Sequence, residues 1–165
     1  IKSTQNKNFQ RMISDVDAFG FNLLQLSAAF STCEVFEFVW CRTEQLLSSK
    51  SKMKSFLTIK CQNKKNLLLM ALNNQDPYIF EAILDIYTVH FTKNEFKKVI
   101  LEKYVEDANN CNVLEIIKSD LSRFDIQYEA IMIKLDQTFS VKEKEEITAK
   151  SSKIVDKKLF KFLVK

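Results

Sequence analysis

Apolar residues come along this chain in helical bursts, and three of the polar stretches that separate them match. DAFGFN at 17–22, CQNKKN at 61–66 and DANNCN at 107–112 each end in Asn, with an apolar pair directly after it. LLQLSA, LLLMAL and VLEIIK then follow at 23–28, 67–72 and 113–118, and each reads as the first turns of a helix. A second helical segment comes next, VFEFVW at 35–40, IFEAIL at 79–84 and QYEAIM at 127–132, which aligns Phe36 with Phe80 and Tyr128, and Glu37 with Glu81 and Glu129. A third piece appears as HFTKNEFKKVI at 90–100 and TFSVKEKEEI at 138–147. In both, Thr92 or Ser140 precedes an acid by three residues, Glu95 or Glu143, which is the capping-box pattern of a helix start. Shorter versions of this piece are FQRMI at 9–13 and SKMKSFLTI at 51–59.

The period predicts repeat units at 17–60, 61–106 and 107–155, with 1–16 as the end of a preceding unit and 156–165 as a terminal helix that begins another. A unit this small cannot bury its own apolar face, so neighbours must stack, and the expected fold is an all-α helical solenoid of about three repeats. An irregular helical bundle with similar amphipathic stripes is the competing reading. Composition narrows the class. The 165 residues contain one Gly and one Pro, which sheets and phosphate loops consume at their turns. With 46% hydrophobic residues and 14 Phe, the chain has the material for a packed core and is not expected to be disordered.

The unit resembles a degenerate ankyrin repeat. From Asp17, the family's turn Gly falls on Gly20, its Thr on Asn22, its Pro on Leu23, its Leu on Leu24, its His on Gln25 and its two Ala on Ser27 and Ala28. The second unit keeps Leu68 and Ala71 with Lys64 at the Gly position. The third keeps Asp107 with Asn110 there, and Asn tolerates left-handed backbone. The Thr and His that link neighbouring units in the family are replaced by Asn with Gln25, Leu69 or Glu115, so Asn is expected to cap the inner helix through its side-chain carbonyl. The resemblance covers roughly residues 9–147 and implies short turns, an inner and an outer helix, and here an additional helix per repeat.

Catalytic patterns are missing. One glycine forbids G-x-x-x-x-G-K-[ST], G-x-G-x-x-G and G-x-S-x-G. The sole histidine, His90, reads as a structural or surface residue, and scattered cysteines at 33, 41, 61 and 111 lack metal-ligand spacing. Cys33 and Cys41 are read as small buried residues. Equivalent carboxylates of a solenoid lie a repeat apart, so Glu37, Glu81 and Glu129 read as a solvated row, and Phe36, Phe80 and Tyr128 as core. No enzyme, cofactor, metal or small-molecule substrate is expected. Without C-x-x-C pairs, an apolar leader or a membrane-length apolar run, the chain reads as cytoplasmic or nuclear.

Net charge is +4, concentrated in two places. Residues 50–65 hold six lysines and no acid, and residues 150–165 hold six lysines against Asp156. Separate clusters make nucleic acid an unlikely partner, and binding to nucleic acid or an anionic surface stands as the alternative. The leading expectation is a protein-interaction module cut from a larger regulatory or scaffold protein. The ankyrin resemblance places partner contacts on the concave face: Phe19, Phe21 and Phe30; Gln62, Asn63, Lys65, Asn73 and Asn74; and Asn109, Cys111 and Asp120. The three phenylalanines either anchor a partner or pack against a preceding unit.

Overall fold

The computed structural model describes residues 11–13, 15–47, 49–61, 65–106 and 109–151. Lys64, Gln62, Asn63 and the terminal helix expected at 156–165 lie outside them. The described chain is mostly helical: α1 (Leu23–Phe30), α2 (Cys33–Leu46), α3 (Lys50–Leu57), α4 (Leu67–Leu72), α5 (Tyr78–His90), α6 (Lys93–Ile100), α7 (Val113–Ser119), α8 (Leu121–Thr138) and α9 (Val141–Lys150). Between α6 and α7, β1 (Tyr104–Glu106) and β2 (Asn109–Cys111) form an antiparallel ribbon in which Tyr104 faces Cys111 and Val105 faces Asn110. The chain divides after Ala82, within α5, into two compact units.

Side-chain carbonyls start all three inner helices. Asn22 accepts from the Gln25 amide at 2.9 Å, Asn66 from Leu69 at 3.0 Å and Asn112 from Glu115 at 3.0 Å. Each satisfies a backbone donor that the first helical turn leaves open. Gln25 and Glu115 return the bond by accepting from the backbone N–H of Asn22 and Asn112. The turn before α1 carries Gly20 at φ 79°, a left-handed conformation that glycine adopts without a Cβ clash. Its backbone bond from the Asp17 N–H to the Phe21 carbonyl, 2.9 Å, has a counterpart one unit later from Cys61 to Lys65, 3.3 Å. The third unit differs. Asn110 pairs with Val105 in the ribbon and is not the left-handed turn residue the sequence suggests, because the Tyr104–Glu106 segment offers a paired strand that uses these backbone groups.

In the first unit α1 packs against both α2 and α4. Leu24, Ala28, Phe36, Val39, Met53, Leu57 and Phe80 form its interior, and all six residues of α4 are buried, as expected of a helix that is apolar on every side. Two side chains on the α4–α5 connection tie it to the α1–α2 junction. Asn74 donates to the carbonyls of Ala28 and Ser31, and the Asp76 carboxylate accepts from the Cys33 N–H at 2.8 Å. Gln25 donates to the Ile59 carbonyl at 2.9 Å, joining the start of α1 to the end of its own unit.

In the second unit α8 packs against α7 and α9 around Phe124, Ile131, Leu135, Ile117 and Ile147. The capping boxes at Thr92 with Glu95 and Ser140 with Glu143 are both formed. Helices α6 and α9 are joined by Lys93 to Glu143 at 2.7 Å and Lys97 to Glu146 at 3.3 Å. The Lys93 ammonium also lies 5.2 Å from the centre of the Phe139 ring, which stacks with Phe96.

Candidate functional site

The turn into α1 and the helix itself place the first group of expected contact residues. The Asp17 carboxylate accepts from the backbone N–H groups of Phe19 at 2.9 Å and Phe21 at 2.8 Å, which holds the turn with Phe19 directed to solvent. Phe19 is 67% exposed, whereas Phe21, its ring centre 6.4 Å away, is half-buried. Phe30 ends α1 and is 79% exposed, more than any other large apolar side chain among the described residues. On the same face of α1, three and four residues apart, lie half-buried Leu26 and Leu23. Sequence reasoning singled out neither leucine, although their helical spacing from Phe30 was a usable signal.

The second group behaves differently. Lys65 is half-buried and its carbonyl closes the turn from Cys61. Asn73 and Asn74 are half-buried, and Asn74 is engaged with Ala28, Ser31 and the backbone N–H of Asp76 at 2.8 Å, so its side chain holds the α4–α5 connection to the end of α1. Of the third group, Asn109 lies in β2, Asp120 is half-buried at the α7–α8 junction and accepts from the Ser122 hydroxyl at 2.7 Å, and Cys111 is buried. Burial removes Cys111 from any contact surface, because ribbon pairing with Tyr104 turns it inward.

Glu37, Glu81 and Glu129 are exposed, while Phe36 and Phe80 are buried and Tyr128 is half-buried. His90 is half-buried at the end of α5. All four cysteines are free thiols; Cys61 is buried like Cys111, but Cys41 is exposed and Cys33 half-buried, contrary to the sequence expectation for that pair, since both sit on the outward side of α2. Burial raises the Cys33 thiol pKa, with the Glu37 and Asp76 carboxylates adding to the shift. Among the described residues no group of His, Cys, Asp and Glu is arranged to hold a metal ion, and no helix is long and apolar enough to cross a membrane.

Two charged groups in the second unit serve architecture. The Glu115 side chain is fully buried, accepts from Asn112 and lies 3.3 Å from the Lys103 ammonium. Burial pushes the Lys118 ammonium pKa down, with Glu115 opposing, while Lys118 donates to the carbonyls of Thr148 and Ser151 at the end of α9. On α3, Lys50 and Lys52 are exposed and no acidic residue shares the helix. The chain matches no protein-family model, no curated protein and no solved structure.

Proposed function

We propose that the chain is a non-enzymatic protein-interaction module, an ankyrin-like stack of three helical units that receives a partner protein on its first turn and inner helix. The observation that carries this reading is the exposure of Phe19 in the turn before α1 and of Phe30 at the end of α1, while Phe21 between them in sequence is half-buried. Exposed aromatic side chains of this size supply anchor energy at protein interfaces, and neutral Ser31 next to Phe30 suits a hydrogen-bonding rim. The Asn caps, the Asp17 turn and the Asn74 tie support a stacked-repeat reading in which these side chains sit at repeat-defined places. Four free thiols fit a reducing compartment, so we place the module in the cytoplasm or nucleus, within a larger regulatory or scaffold protein.

The test is a double substitution, Phe19→Asp with Phe30→Asp. Partner capture should be lost while helical circular dichroism and the urea midpoint stay unchanged. Retained capture would sink the reading. The second reading, an anionic partner, is favoured by Lys50 and Lys52 on acid-free α3. It requires affinity that falls steeply as salt rises, and Lys50→Glu with Lys52→Glu should then abolish binding.

A further inference from the structure

We infer that the row Leu23–Leu26–Phe30 on α1 is the seat of one amphipathic helix from a partner protein, laid along α1 and held by apolar contact without ion pairs. This rests on the interaction-module reading and adds the kind of partner the surface fits.

Repeat equivalence locates the opening. The counterparts of Leu23 and Leu26 are Leu67 and Met70 in α4, and Val113 and Ile116 in α7. All four are buried. Of the three inner helices, α1 keeps this row partly open. The counterpart of Phe30 is Asn74, whose amide hooks the carbonyls of the repeat before it. Phenylalanine donates nothing, so at this edge of the first repeat the hydrogen-bonded hook is replaced by an apolar end.

The chemistry then selects the occupant. Helix α1 contains no charged residue; its polar side chains Gln25 and Ser27 are buried, and Ser31, the half-buried residue next to Phe30, is neutral. Burial of carbon is therefore the attractive term. The row runs over the eight residues Leu23–Phe30, roughly 10 Å along the axis, or two helical turns. An extended peptide would need an unpaired strand edge to satisfy its backbone, and α1 has none to offer; a helix satisfies its own. Helix-on-helix contact also continues an interface already present in the unit, since α4 lies against α1. The partner helix should carry apolar anchors at i, i+3 or i+4, and i+7.

A phage-displayed library of random peptides of about 18 residues, long enough for a stable helix, is selected on the full 165-residue chain, and the winners are remade as synthetic peptides. Winners should show helically spaced apolar anchors, gain helical circular dichroism on binding, and change affinity less than about twofold between roughly 50 and 500 mM NaCl. Phe30→Asp, and separately Leu23→Gln, should each weaken binding about tenfold or more, and Lys50→Glu with Lys52→Glu should change nothing. Extended or proline-rich winners that still need Phe30 would overturn the helix and keep the interaction surface. Winners indifferent to both Phe19 and Phe30 would overturn the surface as well, and a selection that yields no binder refutes the seat. A free chain whose urea midpoint falls as far with Phe30→Asp as with Phe36→Ala would show that the row is covered by the chain itself, which also refutes it.

Discussion

The side-chain amide of Asn74 donates to the backbone carbonyl of Ser31 at 2.9 Å and to that of Ala28 at 3.0 Å, so one residue of the α4–α5 connection closes the end of α1. Helix ends leave carbonyls without partners, and here the missing donor comes from 43 residues further along the chain. Asp76 completes the contact by accepting from Cys33, the first residue of α2.

Removing that donor should loosen the α4–α5 connection from the end of α1. Asn74→Ala is expected to lower stability by about 1–2 kcal/mol, since partly buried carbonyls lose their partner. Asn74→Asp should be at least as harmful, because a carboxylate cannot donate. Urea unfolding of the three proteins checks this, and equal midpoints for all three would contradict it.

The inner-helix caps should be separable from packing. Asn22→Ala and Asn112→Ala should each cost about 1 kcal/mol, with Ser at either position restoring most of the loss. If Ser behaves like Ala, the buried amide matters for a reason other than capping.

Glu115 and Lys103 should show coupling. With Lys103→Ala, the fully buried carboxylate of Glu115 keeps the Asn112 N–H but loses its cation, a loss of about 1–3 kcal/mol. Adding Glu115→Gln removes the charge and leaves a carbonyl to accept from Asn112, so the double variant should be more stable than Lys103→Ala alone. A double-mutant cycle measured by denaturant unfolding reads this directly.

Acid should act on the α6–α9 junction. The Lys93 ammonium, then the Ser140 hydroxyl and backbone N–H, hold the Glu143 carboxyl down at about 2, below its ordinary 4.5. A carboxylate depressed in the folded state stabilises fully above its unfolded pKa and loses that contribution as pH falls from about 4.5 toward about 2. Glu143→Gln should therefore flatten stability against pH across that window, and NMR titration of the Glu143 carboxyl carbon should give a midpoint near the lower figure. A midpoint at the ordinary value would remove the ion pair from the account.

The two classes of phenylalanine should part clearly. Phe36→Ala opens a cavity in the first unit's core and should cost about 3–5 kcal/mol. Phe30→Ala should stay within about 0.5 kcal/mol, because its ring is already in water. Thermal or urea unfolding distinguishes them.

Much of the helical organisation was readable because it is local. The inner helices start where Asn precedes an apolar pair, and the third pieces start at Thr92 and Ser140 with acids three residues on, since a cap involves groups within one turn of each other. The matching of positions along the sequence put Glu37, Glu81 and Glu129 outside and Phe36 and Phe80 inside, whereas Tyr128, read as core in the same way, is half-buried. Position within a unit misled for Asn74 and Cys111, and the usual burial of cysteine misled for Cys41. Asn74 looks like a free surface amide until Ala28 and Ser31 are brought beside it, Cys111 turns inward through pairing with Tyr104, and Cys41 is left outside by the side α2 presents.

By itself, then, the sequence determined the helical class, the helix starts and which positions repeat, because periodicity and capping act over a few residues. Only the tertiary structure decided that Leu23, Leu26 and Phe30 form a partly open row while Leu67 and Met70 do not, and that Asn74 binds the end of α1. Exposure and long-range hydrogen bonds depend on what packs alongside a residue, and in this chain those neighbours come from more than forty positions away.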